Sequence, residues 1–373
     1  MVYWNGIPAP YIRDRFNAVA DRGTIDFEAW FSARTATGRN WLVDEREWNF
    51  NHRFLPAAGV GRWRLALPVP LMGKHVPDLL VSLYDGPSFL VGWWLARRRG
   101  IRTVFWAERT FDSWIHRRRW KERLKRTLFP HVDGFITIGQ DGLEFITQYG
   151  VAPERVHFTT NTIDVARLRR QTAEARLRRE AIRAGLKLVG PTFLYIGRLW
   201  AGKGLDLLLD AFTSVHRGLD GNTTLLLVGE GPDRKRLQER IQAEGISNVV
   251  FTGFLAESGV SEMYAAADVF VFPSLGDPYG LVVDEAMATS LPVICSSSCG
   301  EIRSRIRDGE NGFIVGPAAE SFARRMLQLA RDNEVRAEIG NRAAAAVAGH
   351  THDRWAAEFE HLVDRILTMP PAV

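Results

Sequence analysis

Only two cysteines, Cys295 and Cys299, occur among 373 residues. That excludes a disulfide-stapled scaffold and suits a reducing compartment. A metal centre built on this pair would need two further ligands, and no partner cluster is visible, so packed or free thiols are expected and no metal. No run of about 18 uncharged apolar residues exists, which argues against a membrane-spanning helix. The stretch Met1-Val2-Tyr3-Trp4-Asn5-Gly6 lacks both the basic start and the apolar core of a secretory leader. Short repeats and low-complexity segments are missing as well. These absences predict a cytoplasmic protein.

What is present reads as α/β. Apolar residues make up 46% of the chain and charged ones 24%, ordinary values for a globular protein, and the length favours two domains. In the first half, Asp78–Leu83, Thr103–Ala107 and Gly134–Ile138 look like central strands. In the second, Phe193–Ile196, Thr224–Val228, Val249–Thr252, Val269–Phe272 and Pro292–Cys295 recur at the spacing of α/β units. Continuous apolar strands of this kind are buried on both faces of a parallel sheet. Two doubly wound, Rossmann-like domains facing across a cleft are expected, residues 1–187 and 188–351, with a C-terminal helix over about 352–373 packing back on the first. Ligands of such domains bind beyond the carboxyl ends of the strands.

The net charge of +5 conceals an asymmetry: twelve Lys or Arg face three acids between Arg97 and Arg126, a local excess of 12 − 3 = +9. Toward its end and just beyond, Trp120, Leu124 and Leu128 fall at helical spacing alongside Arg117, Arg118, Arg119, Lys121 and Arg123. Such a helix can lie on an anionic membrane surface, each cation contributing about 1 kcal/mol. The alternative is a domain helix packed by its stripe, with solvated arginines elsewhere. Nucleic acid is disfavoured, because no recognition motif accompanies the charge.

The most informative segment is Gly276-Asp277-Pro278-Tyr279-Gly280-Leu281-Val282-Val283-Asp284-Glu285-Ala286. It follows a strand and opens a helix, whose first N–H groups and dipole suit a phosphate. Asp277 and Glu285, eight positions apart, can accept hydrogen bonds from hydroxyls on either side of that phosphate. Hydroxyls flanking a phosphate describe a nucleotide sugar. A second Gly-rich loop, Gly197-Arg198-Leu199-Trp200-Ala201-Gly202-Lys203-Gly204, places two cations where they can bracket a diphosphate. Its alternative is a solvated loop; it is not a Walker loop, because the Gly-Lys-Ser/Thr ending is missing. The turn Gly229-Glu230-Gly231 and the segment Gly253-Phe254-Leu255 are weak signals alone.

In this order the motifs resemble the donor domain of the family 4 glycosyltransferases, retaining enzymes of the GT-B fold. Weaker echoes extend the resemblance over nearly the whole chain, with its specificity in residues 193–316. The resemblance implies that Arg198 and Lys203 hold the donor diphosphate and stabilise it as it leaves. Asp277 would contact the transferred sugar, aided by backbone N–H groups near Tyr279, Gly280 and Leu281. Glu285 would bind the ribose, Gly197, Gly229 and Glu230 would line the donor loops, and Phe254 and Leu255 would border the base. Neither cofactor nor metal is implied, since the nucleoside-diphosphate sugar is itself a substrate. Two departures stand out. The family usually has Glu at the position of Asp277. It also commonly carries a His after an early strand, where this chain has Glu108, either a catalytic substitute or half of an ordinary ion pair. In the family a loop like Asn5–Tyr11 faces the acceptor, so Asn5, Gly6 and Arg13 are acceptor candidates, against a simple surface turn.

The expected activity is retaining sugar transfer to a glycan or lipid-linked acceptor, in cell-surface polysaccharide or glycolipid synthesis, at the inner face of the membrane. Two rivals stand beside it. One is a GT-B synthase or phosphorylase acting on a soluble acceptor. The other is a catalytically inactive subunit that binds a nucleotide sugar.

Overall fold

In the computed structural model, the described residues are 1–34, 44–58, 65–83, 86–107 and 119–372. They form two compact units, Met1–Thr162 with Thr351–Val373, and Ile163–His350. Each carries one parallel sheet.

In the first unit the strands are β1 (Val2–Asn5), β2 (Glu28–Phe31), β3 (Asn51–Phe54), a two-residue antiparallel pair β4 (Ala57–Ala58) and β5 (Leu65–Ala66), then β6 (Leu79–Leu83), β7 (Arg102–Trp106), β8 (Gly134–Thr137) and β9 (Val156–Phe158). The seven-stranded sheet runs β3-β2-β1-β6-β7-β8-β9. One face of it is lined by Tyr3, Phe16, Phe27, Phe31, Phe50 and Trp106. Helix His352–Thr368 closes that face with Trp355 and Phe359, stacked on each other at 4.9 Å. It packs against helix Pro10–Arg22, and Arg22 pairs with Glu360 at 2.8 Å.

The second unit holds β10 (Thr192–Ile196), β11 (Thr224–Val228), β12 (Val249–Gly253), β13 (Val269–Phe272), β14 (Val293–Ser296) and β15 (Phe313–Val315), ordered β12-β11-β10-β13-β14-β15. β10 and β11 are buried at every residue, as an apolar strand between two helical layers must be. The core is mostly aliphatic, with Leu208, Leu226, Val271, Met287 and Ile294 fully inside.

The division falls after Thr162, not at the expected 187. The intervening helices, Val165–Arg176 and Arg179–Gly185, belong to the second unit. Their arginines explain why. Arg169 donates to Ala288 O (3.1 Å) and Ala344 O (2.6 Å), and Arg183 to Ala266 O (2.8 Å). Arg176 bonds Thr289 O, and Arg179 reaches Asp268 (2.8 Å). Carbonyls at helix C-termini have no partner within their own helix, and these guanidinium groups supply one. An Arg-rich segment expected to end the first domain is therefore bound to the body that follows it.

Candidate functional site

The loops after β10, β11, β12, β13 and β14 are tied to one another by backbone bonds. Leu199 N donates to Glu230 O (2.9 Å), Gly229 N to Gly253 O (2.9 Å), Leu275 N to Gly202 O (3.0 Å) and Gly300 N to Asp277 O (2.8 Å). Gly197, Arg198, Lys203, Gly229, Glu230, Phe254, Leu255, Asp277, Tyr279, Gly280, Leu281 and Glu285 thus share the carboxyl edge of the second sheet.

Lys203 closes the short turn Ala201–Lys203, and Gly204 (φ +68°) begins helix Leu205–Gly218. A Cβ on Gly204 would lie 2.1 Å from Pro273 O, so only glycine lets this loop press against the end of β13. That approach brings Lys203 Nζ into an ion pair with Asp277 Oδ2. The other carboxylate oxygen accepts from Tyr279 N at 3.0 Å, and Asp277 N donates to Ser274 Oγ at 3.2 Å. The acid expected to touch sugar is therefore fixed by its own loop and by the cation expected to touch phosphate. The side chain of Arg198 is exposed, while its carbonyl accepts from Tyr195 Oη at 3.1 Å.

Gly280 (φ +74°) caps helix Leu281–Ala288; a Cβ there would come within 2.8 Å of the Phe272 ring. One turn on, Glu285 Oε2 accepts from the buried Tyr264 hydroxyl at 2.8 Å. Burial lifts the Glu285 carboxyl above its ordinary range, the Tyr264 bond draws it back, and neighbouring Asp284 and Glu257 add repulsion. Glu230 is engaged by Arg234, one helical turn away. Phe254 is 48% exposed beside the end of β12.

Two residues here carry no signal in the motif reading. Asp284 is fully buried and bonds Arg305, itself 5% exposed, at 2.8 Å. Arg305 also bonds Tyr279 O and Gly280 O, and lies 3.8 Å over the Tyr279 ring. Cys299, a packed thiol, donates to the same Tyr279 carbonyl at 3.2 Å. An acid within the apolar run Leu281–Ala288 was the available clue, because a buried carboxylate requires a partner.

In the first unit, Asn5 and Gly6 lie at the carboxyl end of β1, with Gly6 N donating to Asn5 Oδ1 at 2.6 Å. Arg13, in the first turn of helix Pro10–Arg22, is committed to Asp14 (2.6 Å) and Glu47. Glu108, Arg117 and Arg118 lie outside the described residues. In helix Arg119–Leu128 the expected stripe divides: Leu128 is buried, whereas Trp120 (58%) and Leu124 (38%) are exposed among Arg119, Lys121 and Arg123. Among the described residues no helix is long and apolar enough to cross a membrane.

Two parallel-sheet units with these topologies define the GT-B class, and solved structures agree. Anabaena HepE, solved with UDP, superposes with a TM-score of 0.79 at 18% identity, covering 97% of this chain and 99% of that one. Residues 179–346 match the family model for glycosyl transferases group 1, and residues 18–162 match that for a glycosyl transferase 4-like domain. The chain belongs to this glycosyltransferase family. The mannosylfructose-phosphate synthase of Agrobacterium fabrum is 26% identical over 271 residues, 70% of this chain and 56% of the relative. The phosphatidyl-myo-inositol mannosyltransferase of Mycobacterium leprae is 32% identical over 190 residues, 50% of this chain and 49% of the relative. The chain thus spans about half the length of these curated relatives.

Proposed function

We propose that this protein transfers a sugar, with retention of configuration, from a nucleoside diphosphate to a glycan or lipid-linked acceptor. The observation that carries the reading is the convergence of Arg198, Lys203, Asp277 and the N-terminus of helix Leu281–Ala288 on one sheet edge. Arg198 and Lys203 bind the diphosphate together with the free N–H groups of that helix. Asp277 accepts from a sugar hydroxyl, and Glu285 from the ribose, with the base against Phe254 and Leu255. In the reaction the bond between the anomeric carbon and phosphate oxygen breaks, and the nucleoside diphosphate leaves with the electron pair. The acceptor hydroxyl bonds to the same face of that carbon, and its proton passes to the departing phosphate. The two cations and the helix dipole meet the charge that develops, so the reading calls for no metal ion.

Donor hydrolysis and transfer by the parent protein, Arg198→Ala and Lys203→Ala form the test. Each substitution is expected to lower turnover by about 10²–10³-fold, as for loss of one preorganised charge partner. Full activity in both variants would refute the assignment.

For the acceptor, the exposed Trp120 and Leu124 among cations support a lipid-linked substrate at an anionic surface. Co-sedimentation with anionic vesicles should weaken when Arg119, Lys121 and Arg123 are changed to Gln. Binding that survives these changes intact would favour the second reading, a synthase acting on a soluble acceptor. The match to mannosylfructose-phosphate synthase over 70% of the chain supports that alternative.

A further inference from the structure

The buried pair Asp284–Arg305 is costly as a stabilising device. Taking two charges out of water is repaid only by excellent geometry, yet Asp284 Oδ2 and Arg305 Nε have no hydrogen-bond partner among the described residues. Burial works against the Arg305 charge, but its neighbours together, Asp284 first among them and then Tyr279 and Cys299, more than offset it, so the guanidinium stays ionised. Its bonds go to two consecutive carbonyls, Tyr279 O and Gly280 O at 3.4 Å, immediately before helix Leu281–Ala288. In a planar trans peptide the C=O and N–H point in opposite directions. Drawing the Tyr279 carbonyl inward therefore turns Gly280 N–H outward, and drawing in the Gly280 carbonyl does the same for Leu281 N–H. Those are N–H groups that the functional reading gives to the donor.

We infer that Arg305, held by Asp284, is a positioning residue that aims the Gly280 and Leu281 N–H groups at the donor diphosphate. This rests on the proposed function. Three observations fit a locked orientation rather than simple packing. Two carbonyls are gripped by one planar fork, the guanidinium stacks on the Tyr279 ring, and Cys299 supplies a second donor to Tyr279 O. The Asp284 carboxylate accepts from Arg305 at 2.8 Å, and its role is to hold the fork.

The test compares the parent with the double variant Asp284→Leu/Arg305→Leu and with Arg305→Lys. The readouts are thermal unfolding, and calorimetric titration with UDP, GDP and ADP and with uridine, guanosine and adenosine. Replacing a buried ion pair by apolar side chains often leaves stability unchanged or raised, so the double variant is expected to fold. Its affinity for the diphosphate that the parent binds should fall about tenfold or more, while affinity for the matching nucleoside stays at the parental level. A merely structural role would not separate the two. Arg305→Lys keeps the charge beside Asp284 but cannot bridge both carbonyls, so it should show the same selective loss even if the double variant fails to fold. Parental diphosphate affinity in either folded variant overturns the inference alone. A parent protein that binds none of the three diphosphates overturns the functional reading and this inference with it.

Discussion

Two ion pairs bracket the same loop, and they differ in almost every physical respect. Lys203–Asp277 sits at the mouth of the site, each side chain 17% exposed. Arg305–Asp284 lies beneath it, at 2% and 0%. Water reaches the first pair, so its partners can separate when a ligand offers new ones. The second pair has no such exchange available, because parting it would strand a charge in an apolar surrounding. One segment thus holds a pair suited to being opened and a pair suited to staying closed.

The sharpest way to break this comparison is to remove one cation from each pair. Arg305→Ala leaves Asp284 as a lone buried carboxylate, and a loss of about 3–5 kcal/mol in unfolding free energy is expected. Lys203→Ala leaves Asp277 partly hydrated and still bonded by Tyr279 N, for a loss of about 1 kcal/mol or less. Urea titration followed by circular dichroism measures both. Equal losses would mean that the two pairs do the same work.

A smaller effect separates the functions of the two acids. In the resting protein Asp277 occupies Lys203, so an incoming diphosphate must compete with a carboxylate for that cation. Asp277→Asn removes the competitor. Free nucleoside diphosphate should then bind roughly twofold to fivefold more tightly, the worth of a partly exposed pair. The intact sugar donor should bind less tightly, because the sugar loses its acceptor group. Titrating both ligands into one preparation gives the two signs directly. If the two affinities shift in the same direction, Asp277 does not stand between phosphate and sugar. The contrast should shrink in high salt, as interactions of partly hydrated charges do.

The motif segment was readable because its parts are contiguous. Pro278, Gly280, Asp277 and Glu285 lie within nine positions, and a strand-to-helix turn needs those residue types whatever surrounds it. The central strands were readable for a similar reason, since β10 and β11 are apolar at almost every residue. The buried pair was not. Arg305 lies 21 residues from Asp284, with β14 between them, and Arg303 and Arg307 stand beside it with the same composition. Only the packed structure selects one guanidinium from three. The domain boundary failed through a related ambiguity, because arginines that satisfy helix-end carbonyls look the same in sequence as arginines that coat a linker. In the first unit, β2 and β3 escaped notice: Glu28–Phe31 and Asn51–Phe54 are short and mixed in polarity, and their stability comes from aromatic neighbours distant in sequence.

The gentlest probe of the comparison is the neighbour of Asp284. Asp284 has its charge met by a direct bond to Arg305, whereas Glu285 is partly buried and bonds a neutral tyrosine hydroxyl, with Arg167 a smaller counterweight. Its carboxyl is raised above the ordinary value near 4.5, with burial the largest cause. The sign of the consequence follows from linkage. A raised acid binds its proton more tightly in the folded protein than in the unfolded chain, so stability falls as pH rises from the unfolded value to the raised one. Above that window the penalty is constant. Glu285→Gln abolishes the titration and should flatten this part of the stability curve, by an amount below that of either ion-pair deletion. Equilibrium unfolding of parent and variant across pH 4–7 measures it. A nucleoside diphosphate whose ribose engages Glu285 as the carboxylate should bind the parent more tightly as pH rises through the same window, and Glu285→Gln should remove that slope as well. If both slopes persist in the variant, the strain belongs to another group, and Glu285 is as well compensated as the pair beside it.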